Sequence, residues 1–297
     1  MIMKKIRKAV LPVAGFGTRV LPATKTIPKE MLPVVDRPAL QYVVDEAIEA
    51  GIEHFVFVTG RNKGAIEDYF DRAYELEYSL REKGKTAIYE QLDANTPKAG
   101  TMSFVRQQSA LGLGHAIWCA RDVIGDDPFA ILLPDVLVKS DRSCLAQMVD
   151  AYNTVGGNII AVDAVPQERV SSYGVIAPDT KSVRRDDGLI KMTGMVEKPA
   201  VKDAPSNLKI TGRYILQPEI MGLLSDQEAG AGGEIQLTDA MARMMGEQDF
   251  HAFEYVGQDY DCGSKYGYFE AVMAYAQDHV EIGEQARALI KSRAQSF

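Results

Sequence analysis

The residues best placed to do chemistry stand near the start of the chain. The apolar run Lys8-Ala9-Val10-Leu11-Pro12-Val13 ends in Ala14-Gly15-Phe16-Gly17, and Thr18 and Arg19 follow at once. Ten residues on come Lys29, Glu30, Met31, Leu32 and Pro33. A strand feeding a glycine loop brings main chain against a phosphate or a flat base, because only glycine combines so close an approach with φ > 0. Arg19 and Lys29 would then neutralise a polyphosphate. The stretch reads as a nucleotide site at the end of the first strand. It is not a dinucleotide fingerprint, since Val20 stands where G-x-G-x-x-G needs its third glycine, and no stretch supplies a P-loop.

Further candidates lie downstream. Asp135 follows the apolar run Phe129-Ala130-Ile131-Leu132-Leu133-Pro134. A carboxylate at the tip of a buried strand suits a hard cation such as Mg²⁺, which takes one or two carboxylates plus phosphate oxygens; a turn or cap aspartate is the plainer alternative. Asp261, in Tyr260-Asp261-Cys262-Gly263, is either a second carboxylate of that kind or the cap of a helix beginning near Ser264. Gln107-Gln108-Ser109-Ala110-Leu111-Gly112-Leu113-Gly114-His115 follows a strand and opens a helix. An amide side chain offers donor and acceptor together, which suits the edge of a nucleotide base. Glu197-Lys198-Pro199 closes another strand; Lys can hold a sugar phosphate and Glu can accept from sugar hydroxyls. The histidines 54, 115, 251 and 279 are scattered and form no constellation.

Composition bounds the partners. Apolar residues are 46% of the 297 and charged residues 25%, which is ordinary for a chain with a substantial core. A net charge of −8 disfavours a nucleic-acid or anionic-membrane surface, so a triphosphate must meet a local basic patch. Cys119, Cys144 and Cys262 lie far apart with no C-x-x-C, which fits a reducing, cytoplasmic setting rather than a disulfide framework or a zinc site. The basic start before an apolar run mimics a signal peptide, but Pro12, Gly15 and Gly17 interrupt a short run. No apolar stretch approaches the ~18 residues of a membrane span.

The elements that must position these residues alternate. Strands are expected at 9–13, 54–59, 102–106, 129–133 and 158–165, and helices at 39–50, 65–83, 115–124 and 144–155. Such alternation predicts an α/β, Rossmann-like fold: a mixed, mostly parallel central sheet flanked by helices. Ligands of such sheets bind beyond the carboxyl ends of strands, where the glycine loop, the end of the third strand and Asp135 all fall. The second half changes character. Residues 173–178, 189–196 and 209–216 read as a small mixed or antiparallel β extension, with helices at 234–245 and from 265 to near the end; 94–100 and 227–233 read as loops. One catalytic domain over 1–297 is expected. Its nucleotide half would cover about 1–165, its sugar-phosphate half about 166–260, and its C-terminal helices about 264–297.

The strings A-G-F-G-T-R, L-P-A-T and P-K-E-M-L-P-V, with V-E-K-P, G-E-I-Q-L-T-D and Y-D-C-G, resemble the sugar-phosphate nucleotidyltransferases nearly end to end. The T-K-T-I-P-K-E-M-L-P spacing resembles the uridylyl branch. The resemblance implies transfer of a uridylyl group from UTP to α-D-glucose 1-phosphate with Mg²⁺ as cofactor. It makes Arg19, Lys29 and Lys198 catalytic. It assigns Ala14, Gly15, Gly17, Thr18, Glu30, Gln108 and Gly114 to the nucleotide. The sugar phosphate takes Tyr173, Gly174, Glu197, Lys198 and Gly212, with Arg213 in the same cavity, and the metal takes Asp135 and Asp261. For Gly233 to Asp239 a plain helix start is the expectation. The resemblance also implies a homodimer or homotetramer. The apolar residues Val280, Ile282, Ala286, Leu289 and Ile290 would serve either that contact or packing on the chain's own body. A thymidylyl- or cytidylyltransferase, or an inactive regulatory homologue, remains the alternative, since uracil and thymine differ by one methyl.

Overall fold

In β1 (Lys8–Pro12), Ala9 and Leu11 join one apolar cluster and Val10 the other, all three with no exposed surface. A strand buried on both faces demands cover on both. The computed structural model, which describes residues 3–180, 187–226, 230 and 233–294, supplies it.

The hairpin β2 (Pro33–Val34) and β3 (Arg37–Pro38) precedes α1 (Ala39–Glu49) and β4 (His54–Thr59). Then come α2 (Gly64–Tyr69), α3 (Tyr74–Glu82), α4 (Thr86–Ala94), β5 (Met102–Arg106), α5 (Leu113–Cys119) and α6 (Arg121–Ile124). The next stretch holds β6 (Phe129–Leu132), β7 (Val136–Lys139), α7 (Cys144–Val155) and β8 (Asn158–Ala164). The second half runs β9 (Gly174–Pro178), β10 (Leu189–Glu197), β11 (Leu208–Leu216), α8 (Ile220–Ser225) and α9 (Leu237–Met244). It ends with β12 (Phe250–Glu254), β13 (Gln258–Asp261), α10 (Lys265–Ala276) and α11 (Gly283–Ala294).

Nine strands form one sheet in the order β5-β4-β1-β6-β11-β8-β12-β10-β9. From β5 to β6 every pairing is parallel, as strand–helix alternation requires. Beyond β6 the sheet is mixed, as the expected β extension implies. Strand β11 returns from late in the chain and inserts antiparallel between β6 and β8, and of the remaining pairings only β8–β12 is parallel. Helices α1, α7 and α10 bury Leu40, Val43, Leu145, Met148 and Ala271 on one face. Helices α5, α8 and α9 bury Ile117, Leu224, Ala240 and Met241 on the other. Successive parallel neighbours lie on opposite sides of β1, first β4 and later β6. The crevice beyond the ends of β1 and β6 is therefore a switch point, the ligand position of an open α/β sheet.

The differences from expectation have local causes. The helix expected at 65–83 breaks because Phe70 turns inward to pack on Phe57, ring centroids 5.2 Å apart. The final helical stretch also breaks. The Gly283 N–H bonds the His279 carbonyl at 2.8 Å, and a Cβ there would stand 2.8 Å from the Gln277 carbonyl oxygen. Val280 is 94% and Leu289 58% exposed, so neither packs on the body of the chain. The loop expected at 227–233 lies mostly outside the described residues. No helix among the described residues is long and apolar enough to cross a membrane.

Candidate nucleotide and sugar-phosphate site

The loop after β1 is held tightly. Gly17 has φ 67°, and a Cβ there would meet Lys29 Cβ at 3.1 Å and Thr24 Cβ at 3.3 Å. The Thr24 hydroxyl donates to the Gly17 carbonyl at 2.7 Å. Gly15, Thr18 and Arg19 stay exposed and Ala14 half-buried, so the loop presents its outer surface to the crevice.

Asp135 leaves the sheet just beyond β6, and Lys29 reaches it with Nζ to Oδ2 at 2.5 Å. The Arg19 guanidinium bridges Asp135 at 3.5 Å and Asp261 at 3.0 Å. Strand β13 brings Asp261 there by pairing with β7, Asp261 opposite Val136. The Cys262 N–H fixes the other end of that turn on the Asp135 carbonyl at 2.7 Å. Ser264 caps α10, its hydroxyl accepting from the Gly267 N–H at 3.1 Å. The Asp261 carboxylate is thereby released from capping. It accepts from the Gly263 N–H at 2.9 Å instead. A Cβ at Gly263 would lie 2.7 Å from Asp135 Oδ2, 2.9 Å from Asp261 Oδ1 and against the Arg19 guanidinium. That glycine keeps open a point on which both carboxylates converge.

Burial alone would push the Asp135 carboxyl up, but the Lys29 charge and hydrogen bond, with Arg19, outweigh it and hold it below its ordinary range. Burial opposes the Lys29 ammonium too, yet Asp135 and Glu30 keep its pKa raised. Both groups are charged throughout the neutral range.

A cavity of about 220 Å³ opens from this cluster and joins the two halves of the chain. Arg19, Asp135 and Asp261 line one end; Tyr173, Gly174, Glu197 and Gly212 line its walls. Glu197 Oε2 accepts from the Thr238 hydroxyl at 2.8 Å. Neighbours on a strand point to opposite faces, so Glu197 and Lys198 meet one ligand only if the strand end bends. The end of β10 turns at Lys198, φ 46°, and its Nζ comes within 3.6 Å of Glu197 Oε1, but Glu197 lines the cavity and Lys198 does not. A non-glycine residue in the left-handed region is strained, and such strain gathers at functional sites. Gln108 lies exposed on the loop after β5, while the Gln107 amide is spent on the Gly112 carbonyl at 3.1 Å and on His115.

Three of the expected residues are buried and do not line the cavity. Glu30 does not face the crevice: it has no exposed surface, and Oε2 accepts from the buried Lys63 at 2.7 Å. Gly114 is buried, its N–H bonds the Ile235 carbonyl at 2.8 Å and that oxygen fills the space a Cβ would need. Of the two glycines it is Gly112, φ 101°, that shapes this turn. Arg213 does not line the cavity; it is fully buried against Glu46. The plain helix-start reading of Gly233 to Asp239 is also incomplete, because Thr238 and Gln236 line the cavity. Sequence reasoning missed Lys209, Thr211 and Asp259, which line it as well. A signal existed for Thr238, whose string G-E-I-Q-L-T-D is one of those carrying the resemblance.

Among the described residues no group of three or more His, Cys, Asp or Glu side chains gathers as a metal cage. Two converging carboxylates fit a hard divalent cation whose remaining ligands are phosphate oxygens and water. A glycine loop, two carboxylates and two cations at the switch point of an α/β sheet define a site for handling nucleotide phosphates.

Comparison with known proteins agrees. Residues 8–278 match the nucleotidyl transferase family model. The UTP–glucose-1-phosphate uridylyltransferase of Komagataeibacter xylinus is 52% identical over 265 residues, 89% of this chain and 92% of that one. The UTP-bound UGPase of Acinetobacter baumannii superposes with TM-score 0.88 at 47% identity, covering 96% of this chain and 98% of that one. A UDP-glucose pyrophosphorylase complexed with UDP-glucose gives 0.81 at 44% identity, over 92% of this chain and 100% of that one. This chain belongs to the nucleotidyl transferase family.

Proposed function

We propose that the chain transfers the uridylyl group of UTP to α-D-glucose 1-phosphate, giving UDP-glucose and pyrophosphate. The observation that carries this reading is one cavity lined by Arg19, Asp135 and Asp261 at one end and by Glu197 and Gly174 beyond them. Relatives of nearly the same length, named for this reaction or solved with UTP or UDP-glucose, support it.

A phosphate oxygen of the sugar phosphate attacks the α-phosphorus in line, and pyrophosphate departs. The nucleophile, with a second pKa of about 6, is already largely dianionic at neutral pH. No general base is needed, and catalysis is positioning plus cancellation of charge. Asp135 and Asp261 would hold Mg²⁺, which supplies charge neutralisation where the two phosphates meet. Arg19 and Lys29 flank the glycine loop and act on the β- and γ-phosphates. Ala14, Gly15, Gly17 and Thr18 cradle the nucleotide, and Gln108 reads the uracil edge. Lys198 holds the acceptor phosphate; Glu197, Tyr173, Gly174 and Gly212 hold the hexose. The whole chain acts as one catalytic unit in the cytoplasm. The exposed Val280 and Leu289 belong to a contact between copies in a homodimer or homotetramer.

A pyrophosphate-release assay across UTP, dTTP, CTP, ATP and GTP with several sugar 1-phosphates tests the reading. UTP with glucose 1-phosphate should give the highest kcat/KM; a strong preference for another pair would refute it.

Two further results are expected. Lys198→Ala should raise the KM for glucose 1-phosphate by roughly one to two orders of magnitude, from ~1.5–3 kcal/mol of charged hydrogen bonding. UTP affinity measured by calorimetry should change little, and the reverse pattern would overturn this division of labour. The pH–rate profile should rise through about pH 6, the substrate's own ionisation, and stay flat from about 7 to 9. Asp135 ionises below that window and Lys29 deprotonates above it. Burial, with Arg121, lowers the pKa of His115, so this histidine adds no limb at higher pH.

A further inference from the structure

The cavity holds a second ion pair that uridylyl transfer does not require. Lys209 Nζ and Asp259 Oδ2 meet at 2.5 Å, with side chains only 9% and 13% exposed, and both residues line the cavity. The Tyr255 hydroxyl donates to Asp259 Oδ1 at 3.3 Å, so both carboxylate oxygens are engaged. Lys209 is less committed. An ammonium has three donors; Asp259 takes one, and the Tyr173 ring faces the ammonium with its centroid 5.3 Å away. Two residues along β11, the Thr211 hydroxyl is buried near that of Tyr255 and completes no hydrogen bond of ordinary geometry. The cavity lining therefore carries spare ammonium donors, with the Thr211 hydroxyl closed off beside them.

The strand sets how far this lining lies from the phosphates. Asp259 stands opposite Val138 and Asp261 opposite Val136 on the same ladder. Alternate residues share a face, about 7 Å apart along a strand. A pyranose whose C1 phosphate meets the nucleotide phosphate beside Asp261 directs its opposite ring carbon, C4, down that interval. Stability does not explain the pair, since buried ion pairs are commonly replaced by well-packed apolar residues at no loss.

Resting on the reading above, we propose that Lys209, with Thr211 beside it, is the subsite for the sugar hydroxyl at C4 and sets the discrimination between glucose 1-phosphate and its C4 epimer. Asp259 acts through Lys209 as a positioning residue, fixing the ammonium where the hydroxyl arrives. A site built to bond a hydroxyl rejects the analogue that lacks or misplaces it, because its own buried polar groups are then left unpaired.

The test compares wild type, Lys209→Met, Thr211→Val and the double variant Lys209→Met/Asp259→Leu, which removes both members of the pair and leaves Asp163 beside them. Glucose 1-phosphate, galactose 1-phosphate and 4-deoxyglucose 1-phosphate are assayed with UTP, alongside the KM for UTP and the Tm. Lys209→Met and the double variant should lose about tenfold or more in kcat/KM for glucose 1-phosphate. The 4-deoxy sugar and the KM for UTP should stay within about twofold of wild type, so the preference over galactose collapses. Thr211→Val should move the same ratio in the same direction. Equal losses on all three sugars, or an unchanged glucose-to-galactose ratio in a folded variant, would overturn the assignment. Should Lys209→Met not fold, the double variant and Thr211→Val decide it. Wild type that does not turn over glucose 1-phosphate would instead overturn the underlying reading.

Discussion

Asp135→Asn is expected to lower kcat for UTP and glucose 1-phosphate by about a thousandfold, or ~4 kcal/mol in the barrier. The residue stands where three functions meet. Its carboxylate shares a converging point with Asp261, it neutralises Lys29 at 2.5 Å, and it orients Arg19 at 3.5 Å. Asparagine keeps the shape but removes the charge, so cation affinity and the placement of both basic groups fail together. Raising the Mg²⁺ concentration should recover part of kcat if metal affinity is the main loss. A variant with wild-type kcat at equal Mg²⁺ would exclude Asp135 from the site. The substitution also changes acid stability, with a defined sign. The folded pKa of Asp135 is depressed, because burial is outweighed by Lys29 and Arg19. Its stabilisation is present above the ordinary carboxylate value of about 4 and disappears as pH falls through the lower folded value. The variant should therefore show a shallower loss of stability below about pH 4 than wild type.

How much of this site could be read in advance depends on whether a residue's partners are near in sequence. Asp135 was legible because an uninterrupted apolar run fixes a buried strand, and the first polar residue after it must emerge at its tip. Asp261 was ambiguous for a local reason, since a cap and a ligand look alike before a helix; the Ser264 to Gly267 bond removes the cap reading alone. Gly112 and Gly114 are separated by one residue. Which of them turns the chain depends on where α5 starts, and element boundaries are the weakest part of a periodicity argument. Glu30 was misplaced because its partner Lys63 lies in another element, and nothing local announces that pairing. The same holds for Thr238 with Glu197 and Lys209 with Asp259. The sheet shows this on a larger scale. Its parallel half followed from alternation, while the insertion of β11 between β6 and β8 is a long-range event that no local pattern encodes.

Arg213→Met should cost about 3–5 kcal/mol of stability, a large share of the roughly 5–15 kcal/mol that holds a typical domain together. Arg213 has no exposed surface, and its guanidinium meets both oxygens of Glu46, at 3.0 and 2.8 Å. Burial opposes its charge, but Glu46 prevails and keeps the arginine pKa raised. Removing one member leaves the other charge buried and unpaired, which is why the cost exceeds the net value of the pair. Glu46→Leu/Arg213→Met should recover most of that stability, because no charge is stranded. Activity should follow a different course. The guanidinium also donates to the carbonyls of Leu133 at 3.1 Å, Val136 at 2.7 Å and Gly212 at 3.3 Å. Leu133 and Val136 bracket Asp135, and Gly212 lines the cavity. Neither variant restores those donors, so the turn carrying Asp135 is free to shift. A displacement of about 1 Å in a positioned group can cost on the order of a hundredfold in rate. Urea denaturation and kcat, both measured at a temperature where the variants are folded, separate the two effects. The double variant should be nearly as stable as wild type yet still slow by about ten- to a hundredfold. Recovery of kcat together with stability would show that Arg213 serves the fold alone and leaves the placement of Asp135 to other contacts.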